Sequence, residues 1–214
     1  MNASSESSKV SKLRLAILIL AAGEGSRLGG YPKALLKKDG SSLLRRLIDS
    51  TQVFNPIETL VVTGFYANEI EAEIQAIQKN SQNTISWVRN TTPAAGQPSS
   101  VRLGIKSLKS NYEVVLIALC DQPKIGVSEI ESLLEQFHGR SAKQEIVLPV
   151  FNGQRGNPVL FSREVIERIL EAPGMVCRTY MDQHPELVKT FDTDNEAYVL
   201  DADTRDDIQK LGLS

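Results

Sequence analysis

Leu15-Ala16-Ile17-Leu18-Ile19-Leu20-Ala21-Ala22-Gly23-Glu24-Gly25-Ser26-Arg27-Leu28-Gly29-Gly30 is the stretch on which the rest of the chain turns. Residues 15–22 are apolar without interruption and too few to span a bilayer. A short, branched run with no polar alternation predicts a strand buried on both faces, as in a parallel sheet. Lys9, Lys12 and Arg14 ahead of it imitate the basic start of a signal peptide. The direct passage into a glycine-rich loop favours the buried strand, whereas a mature terminus near Gly23 would mark the other reading. Glycine admits left-handed backbone angles and lets neighbouring N–H groups converge on one anion. Arg27 and, slightly later, Lys33 add positive charge. The loop that follows Leu20, Ala21 and Ala22, with Gly23, Gly25 and Ser26 in it, therefore suits a triphosphate or pyrophosphate. Two familiar phosphate loops fail on spacing. The dinucleotide fingerprint needs a glycine where Leu28 stands, and the Walker A loop needs a lysine where Tyr31 stands.

Outward from this loop, apolar runs alternate with amphipathic stretches. Residues 60–62, 114–119 and 146–150 read as further strands, with 85–88 a weaker candidate and 159–161 a candidate extension of the sheet. Ile70, Ile74 and Ile77 share one helical face, as do Ile130, Leu133, Leu134 and Phe137. Stretches 43–53, 99–108, 165–170, 175–181 and 204–211 also read as helical. Ser128 with Glu131, and Thr204 with Asp207, carry the spacing of capping boxes, and Ser99 that of an N-cap. This alternation predicts an α/β fold of three layers around a mostly parallel sheet. Residues 1–12, serine-rich and without apolar periodicity, read as a disordered tail, and 13–214 as a single domain.

The chain has 214 residues, with 24 basic against 26 acidic side chains and a formal charge of −2. That balance gives no polyanion groove, so nucleic acid is not expected as a partner, and no run is long enough for a membrane span. Cys120 and Cys177 form neither a disulfide framework nor a zinc spacing, which suits a reducing, cytoplasmic setting. His138 and His184, the two histidines, lie far from every motif.

In open α/β sheets ligands bind beyond the carboxyl ends of the strands, so the residues directly after each strand are the ones to inspect. After 114–119 come Cys120, Asp121, Gln122 and Pro123. Asp121 is placed either to hold Mg²⁺ beside the glycine loop or to cap the next turn. Gly96, Ser99 and Ser100 open a helix whose N-terminus can present donors to a base or phosphate. Arg155 and Asn157, in Gln154-Arg155-Gly156-Asn157-Pro158, come after another strand, and a plain turn explains that segment equally well.

Leu20-Ala21-Ala22-Gly23, then Arg27, Gly29 and Lys33, resembles the signature of the MobA-like nucleotidyltransferases, in its molybdenum cofactor cytidylyltransferase branch. The resemblance runs from Leu15 to about Leu211 with the motifs in order. It implies a Rossmann-like, GT-A-like fold and a Mg²⁺-dependent transfer of a nucleoside monophosphate, most simply CMP from CTP, to the phosphate of molybdopterin cofactor. By the same resemblance Arg27, Lys33 and Asp121 are catalytic, and Gly96, Ser99 and Ser100 lie by the base. Arg155 and Asn157 then sit on the acceptor side, where Asn157 replaces the family's histidine. Asp203 either joins Asp121 on the metal or caps the closing helix with Thr204. A molybdoenzyme is the implied macromolecular partner. The readings beside this one are a GTP-, sugar-phosphate- or phospholactate-directed transferase of the same fold, and a non-catalytic chaperone that carries the cofactor.

Overall fold

The computed structural model describes residues 13–79 and 84–214; the serine-rich stretch 1–12 lies outside the described residues. Seven main strands run in chain order as β1 (Leu15–Ala21), β2 (Glu58–Thr63), β3 (Ile85–Arg89), β4 (Val114–Leu119), β5 (Ile146–Phe151), β6 (Val159–Ser162) and β7 (Val188–Asp192). They form one sheet in the order β7-β5-β6-β4-β1-β2-β3. Every residue of β1 is buried, because β2 and β4 flank it in parallel and helices cover both faces. Its unbroken apolar run reflects that position. The helices are α1 (Leu43–Gln52), α2 (Ala67–Gln78), α3 (Gln97–Ser107), α4 (Val127–His138), α5 (Arg163–Glu171), α6 (Cys177–Gln183) and α7 (Arg205–Leu211).

Alternate residues of β1 feed two separate cores. Leu15, Ile17 and Ile19 pack with Leu44 and Ile48 of α1, Ile74 of α2 and Leu133 of α4. Ala16, Leu18 and Leu20 pack on the other face with Ile105 of α3, Ile166 of α5 and Met181 of α6. Each fully buried Ile or Leu contributes about 1.5–3 kcal/mol relative to exposure, so both layers are needed to hold the sheet. Helix α3 sits directly on the strands at Gly104. A β-carbon there would lie 2.6 Å from Leu18 Cδ1 and 2.9 Å from Val62 Cγ2. That close seating aims the N-terminus of α3 at the carboxyl end of β1.

Several local expectations change. Strand β6 runs antiparallel between β4 and β5, and β7 closes the edge parallel to β5. The alternating exposure of β7 marks an edge strand with one open side, which a search for continuous apolar runs passes over. Helix α4 begins at Val127 with Gly126 as N-cap, not at Ser128. The Gly126 N–H donates to Glu129 Oε2 at 3.0 Å, so Glu129 rather than Glu131 satisfies the helix start. Helix α3 is entered through Gly96 at φ 88°, and Ser99 lies inside its first turn, donating its hydroxyl to the Gly96 carbonyl at 2.8 Å. Glycine takes the cap there because the chain turns through a left-handed angle that serine resists.

Candidate active site

The carboxyl ends of β1 and β4, the entry to α3 and the segment before α7 enclose a cleft of about 700 Å³. The loop after β1 forms its floor. Gly25 adopts φ 64°, and a β-carbon on it would meet the Tyr31 carbonyl oxygen at 2.1 Å. Only glycine lets the loop fold back there. The N–H groups of Leu28, Gly29 and Gly30 are used inside the loop, donating to Gly25 and Ser26 carbonyls. Among the described residues, the backbone N–H groups of 23–27 donate to no protein acceptor. They are the donors left for a ligand. The Tyr66 hydroxyl donates to the Glu24 carbonyl at 2.9 Å and steadies the loop from the start of α2.

Charges converge at one end of the cleft. Lys33 Nζ donates to Asp121 Oδ2 at 3.1 Å and also to Asp203 Oδ1. Arg27 donates to Asp203 Oδ2 at 3.0 Å. Burial lowers the Lys33 pKa, but Asp121 and Asp203 outweigh it and hold the ammonium above its ordinary value. The chain's last segment is brought here by a backbone bond from Ala202 N–H to the Asp121 carbonyl at 2.9 Å. Thr204 then caps α7: Asp207 N–H donates to Thr204 Oγ1, and Thr204 N–H to Asp207 Oδ2. Because Thr204 does the capping, the Asp203 carboxylate is released to face Lys33 and Arg27. Asp121 likewise turns to Lys33 rather than capping the next turn.

Asp201, two residues before Asp203, lines the same cleft. Burial, reinforced by Asp121 and Asp203, pushes its carboxyl up to about 6, and its Oδ1 is buried without a hydrogen-bond partner. Burial likewise raises the Cys120 thiol well above its ordinary value, as for a small residue packed in the core.

Leu20, Ala21, Ala22, Gly23, Gly25, Ser26, Arg27, Lys33, Gly96, Ser100, Asp121 and Asp203 all line this one cleft. Ser99 stands just behind it. The buried amide of Asn90 donates to Ser99 Oγ at 2.9 Å and Ser100 Oγ at 3.0 Å, locking the start of α3. Arg155 and Asn157 fall outside it, on an adjoining cavity, with Arg155 paired to Asp182 at 2.6 Å. Reading along the chain misses Asn90, Phe65 and Asp201. Phe65 is 41% exposed on the cleft wall. The Gly64-Phe65 pair directly after β2 is the one signal that could have pointed to it.

Among the described residues, no three His, Cys, Asp or Glu side chains form a ready-made metal cage. Asp121 and Asp203, however, both reach a single ammonium nitrogen. Two hard carboxylates that already share one cation suit Mg²⁺, which takes one or two protein carboxylates and completes its shell with water and phosphate oxygens.

A sequence profile described as the MobA-like NTP transferase domain matches residues 17–187. The probable molybdenum cofactor guanylyltransferase of Methanosarcina acetivorans is 26% identical over 58% of this chain, which spans 54% of that protein's length. The nicotine blue oxidoreductase of Paenarthrobacter nicotinovorans is 27% identical over 91% of this chain and 94% of its own. The molybdenum cofactor cytidylyltransferase of Escherichia coli is 23% identical over 89% and 91%. Among solved structures, Rv0371c of Mycobacterium tuberculosis superposes with a TM-score of 0.74 at 20% identity, covering 94% of this chain and 98% of that one. A further crystal structure of that protein is a complex with manganese, at TM-score 0.69 and 19% identity over 92% and 97%.

Proposed function

This chain belongs to the MobA-like NTP transferase family, and from that premise we propose that it transfers CMP from CTP to the phosphate of a molybdopterin-type acceptor, releasing pyrophosphate. The observation that carries the reading is the meeting of free loop N–H groups, two cations and two carboxylates at one end of one cleft. The names of the two molybdenum cofactor relatives support the acceptor, and the cytidylyltransferase among them supports CTP. A molybdoenzyme would receive the product, and the free cysteines Cys120 and Cys177 suit a reducing, cytoplasmic setting.

The work of the protein is positioning and charge neutralisation. The N–H groups of residues 23–27 cradle phosphate oxygens, while Arg27 and Lys33 neutralise the triphosphate and the departing pyrophosphate. An acceptor phosphate is ionised at neutral pH and needs no general base, in keeping with a cleft lined by no histidine. Gly96, Ser99 and Ser100 lie by the base and ribose, and Arg155 and Asn157 on the acceptor side. Asp121 and Asp203 are the residues to hold Mg²⁺, which when bound supplies charge neutralisation at the phosphate oxygens.

A pyrophosphate-release assay with CTP, GTP, ATP and UTP, with Mg²⁺ and a molybdopterin acceptor, tests this. Release confined to CTP is expected. Release with GTP alone would move the protein to the guanylyl branch, and release with none would remove the transferase reading. One observation favours a second reading: a relative named an oxidoreductase aligns nearly end to end. Reduction of nicotine blue coupled to oxidation of an added hydride donor, with no pyrophosphate from any triphosphate, would select it.

A further inference from the structure

Lys33 joins the two carboxylates that suit Mg²⁺. Its Nζ donates to Asp121 Oδ2 at 3.1 Å and to Asp203 Oδ1. Among the described residues the Asp121 carboxylate has no other hydrogen-bond or ion-pair partner. The bond from Ala202 N–H to the Asp121 carbonyl at 2.9 Å fixes the two acidic segments side by side, so a cation between them offsets the repulsion of like charges. The side chains of Lys33 and Asp121 are 18% and 22% exposed, so solvent screens their contact only in part. The backbone at Lys33 is held in place: Leu35 N–H donates to the Pro32 carbonyl at 2.8 Å and Leu36 N–H to the Lys33 carbonyl at 3.1 Å. Freedom to move lies in the four-carbon side chain. The loop N–H groups of residues 23–27 line the same cleft.

We propose that the Lys33 ammonium is an internal placeholder for the divalent cation: it holds the metal-binding face of Asp121 and Asp203, and the polyphosphate of the nucleotide draws it away, so that metal and nucleotide enter together rather than metal first. The role of the polyphosphate rests on the nucleotidyl-transfer reading; the competition between lysine and metal is a property of the protein by itself. An ammonium and a dication repel strongly within one shell of carboxylate oxygens, so one must leave for the other to bind. A metal arriving alone strips the ammonium of both carboxylates and returns no partner to it. A triphosphate supplies anionic oxygens that take over the ammonium in charge-assisted hydrogen bonds, and Asp121 and Asp203 are then released to the metal. Arg27 does not fill the same part. Its side chain is 74% exposed, and it pairs with Asp203 alone. Whatever loosens the hold of the lysine on the carboxylates therefore strengthens that of the metal by the same factor.

The test is Mn²⁺ binding to the full chain without nucleotide, read from the free-ion signal in electron paramagnetic resonance. Lys33→Met keeps the length of the side chain and removes its charge, and it is expected to bind Mn²⁺ at least about tenfold more tightly than the parent. Lys33→Arg, which keeps the charge, and Lys37→Met, which removes one from an exposed neighbour, are expected to stay within about twofold of the parent. Adding Asp121→Asn to Lys33→Met is expected to abolish the gain, which ties it to the carboxylates. Equal affinity in the parent and Lys33→Met, an equal gain in Lys33→Arg or Lys37→Met, or a gain that survives Asp121→Asn overturns the placeholder. Denaturant midpoints check that each variant is folded, and Lys33→Gln replaces Lys33→Met should the latter not fold. Pyrophosphate release from CTP by the parent is measured separately. Its absence beside a gain in Lys33→Met sinks the transferase reading and keeps the competition, whereas release without that gain does the reverse.

Discussion

Asp121 and Asp201 sit in one cleft and carry opposite expectations. Asp121, held by Lys33, is a proposed metal ligand, so Asp121→Ala is expected to fold normally and lose about 10²–10³-fold in kcat, the scale of a lost transition-state electrostatic contact. Near-normal turnover at saturating Mg²⁺ would remove that role. Asp201 has a folded pKa of about 6 against an ordinary value of 3.8. Between those values the unfolded chain has lost the proton and the folded chain keeps it, so stability falls as pH rises through this window. Asp201→Asn removes the penalty. In metal-free, nucleotide-free buffer the variant is expected to be more stable than the parent at pH 7, by about 1–2 kcal/mol after screening of a partly exposed group. The gap should vanish below about pH 4, as read by denaturant midpoints across pH. A gap independent of pH would contradict the burial argument. Asp121 was legible in the sequence because an acidic residue comes directly after an apolar strand and its cysteine. Asp201 was not, since nothing in Asp201-Ala202-Asp203 says that the first carboxyl is buried and the third faces the cations.

At the level of elements, the loop after β1 and the cap of α7 place the site. Gly25→Ala forces a β-carbon into the Tyr31 carbonyl at a positive φ, so the loop must open. The expected result is at least a tenfold weaker affinity for CTP with only about 1–2 kcal/mol lost in stability, measured by calorimetry and chemical denaturation. Unchanged affinity would mean that the loop conformation is irrelevant to binding. Thr204→Ala removes the N-cap of α7 and should cost about 0.5–2 kcal/mol, measured by the same denaturation. The glycine loop, the central strand and the Thr204–Asp207 box could be read from the chain because each is local: a run, a spacing, a pair three residues apart. The antiparallel β6, the edge strand β7 and the Asn90 clamp on Ser99 and Ser100 could not. Each depends on partners far along the chain or on another element, and Asn90 becomes meaningful only when β3 delivers it to the start of α3.

For the molecule as a whole, parallel order around β1 brings residues 23–27, Lys33, Gly96, Ser100, Asp121 and Asp203 together beyond the carboxyl ends of the central strands, although they are spread along most of the chain. The joining of the cleft to the cavity lined by Arg155 and Asn157 is a property of the assembled layers, and no single motif encodes it. The most direct test is a crystal structure of the protein with a non-hydrolysable CTP analogue and Mn²⁺, with the metal located by anomalous scattering. The triphosphate is expected on the N–H groups of residues 23–27 beside Arg27 and Lys33, and the anomalous peak between Asp121 and Asp203. A nucleotide bound elsewhere, or a metal remote from both carboxylates, would contradict this placement of the site.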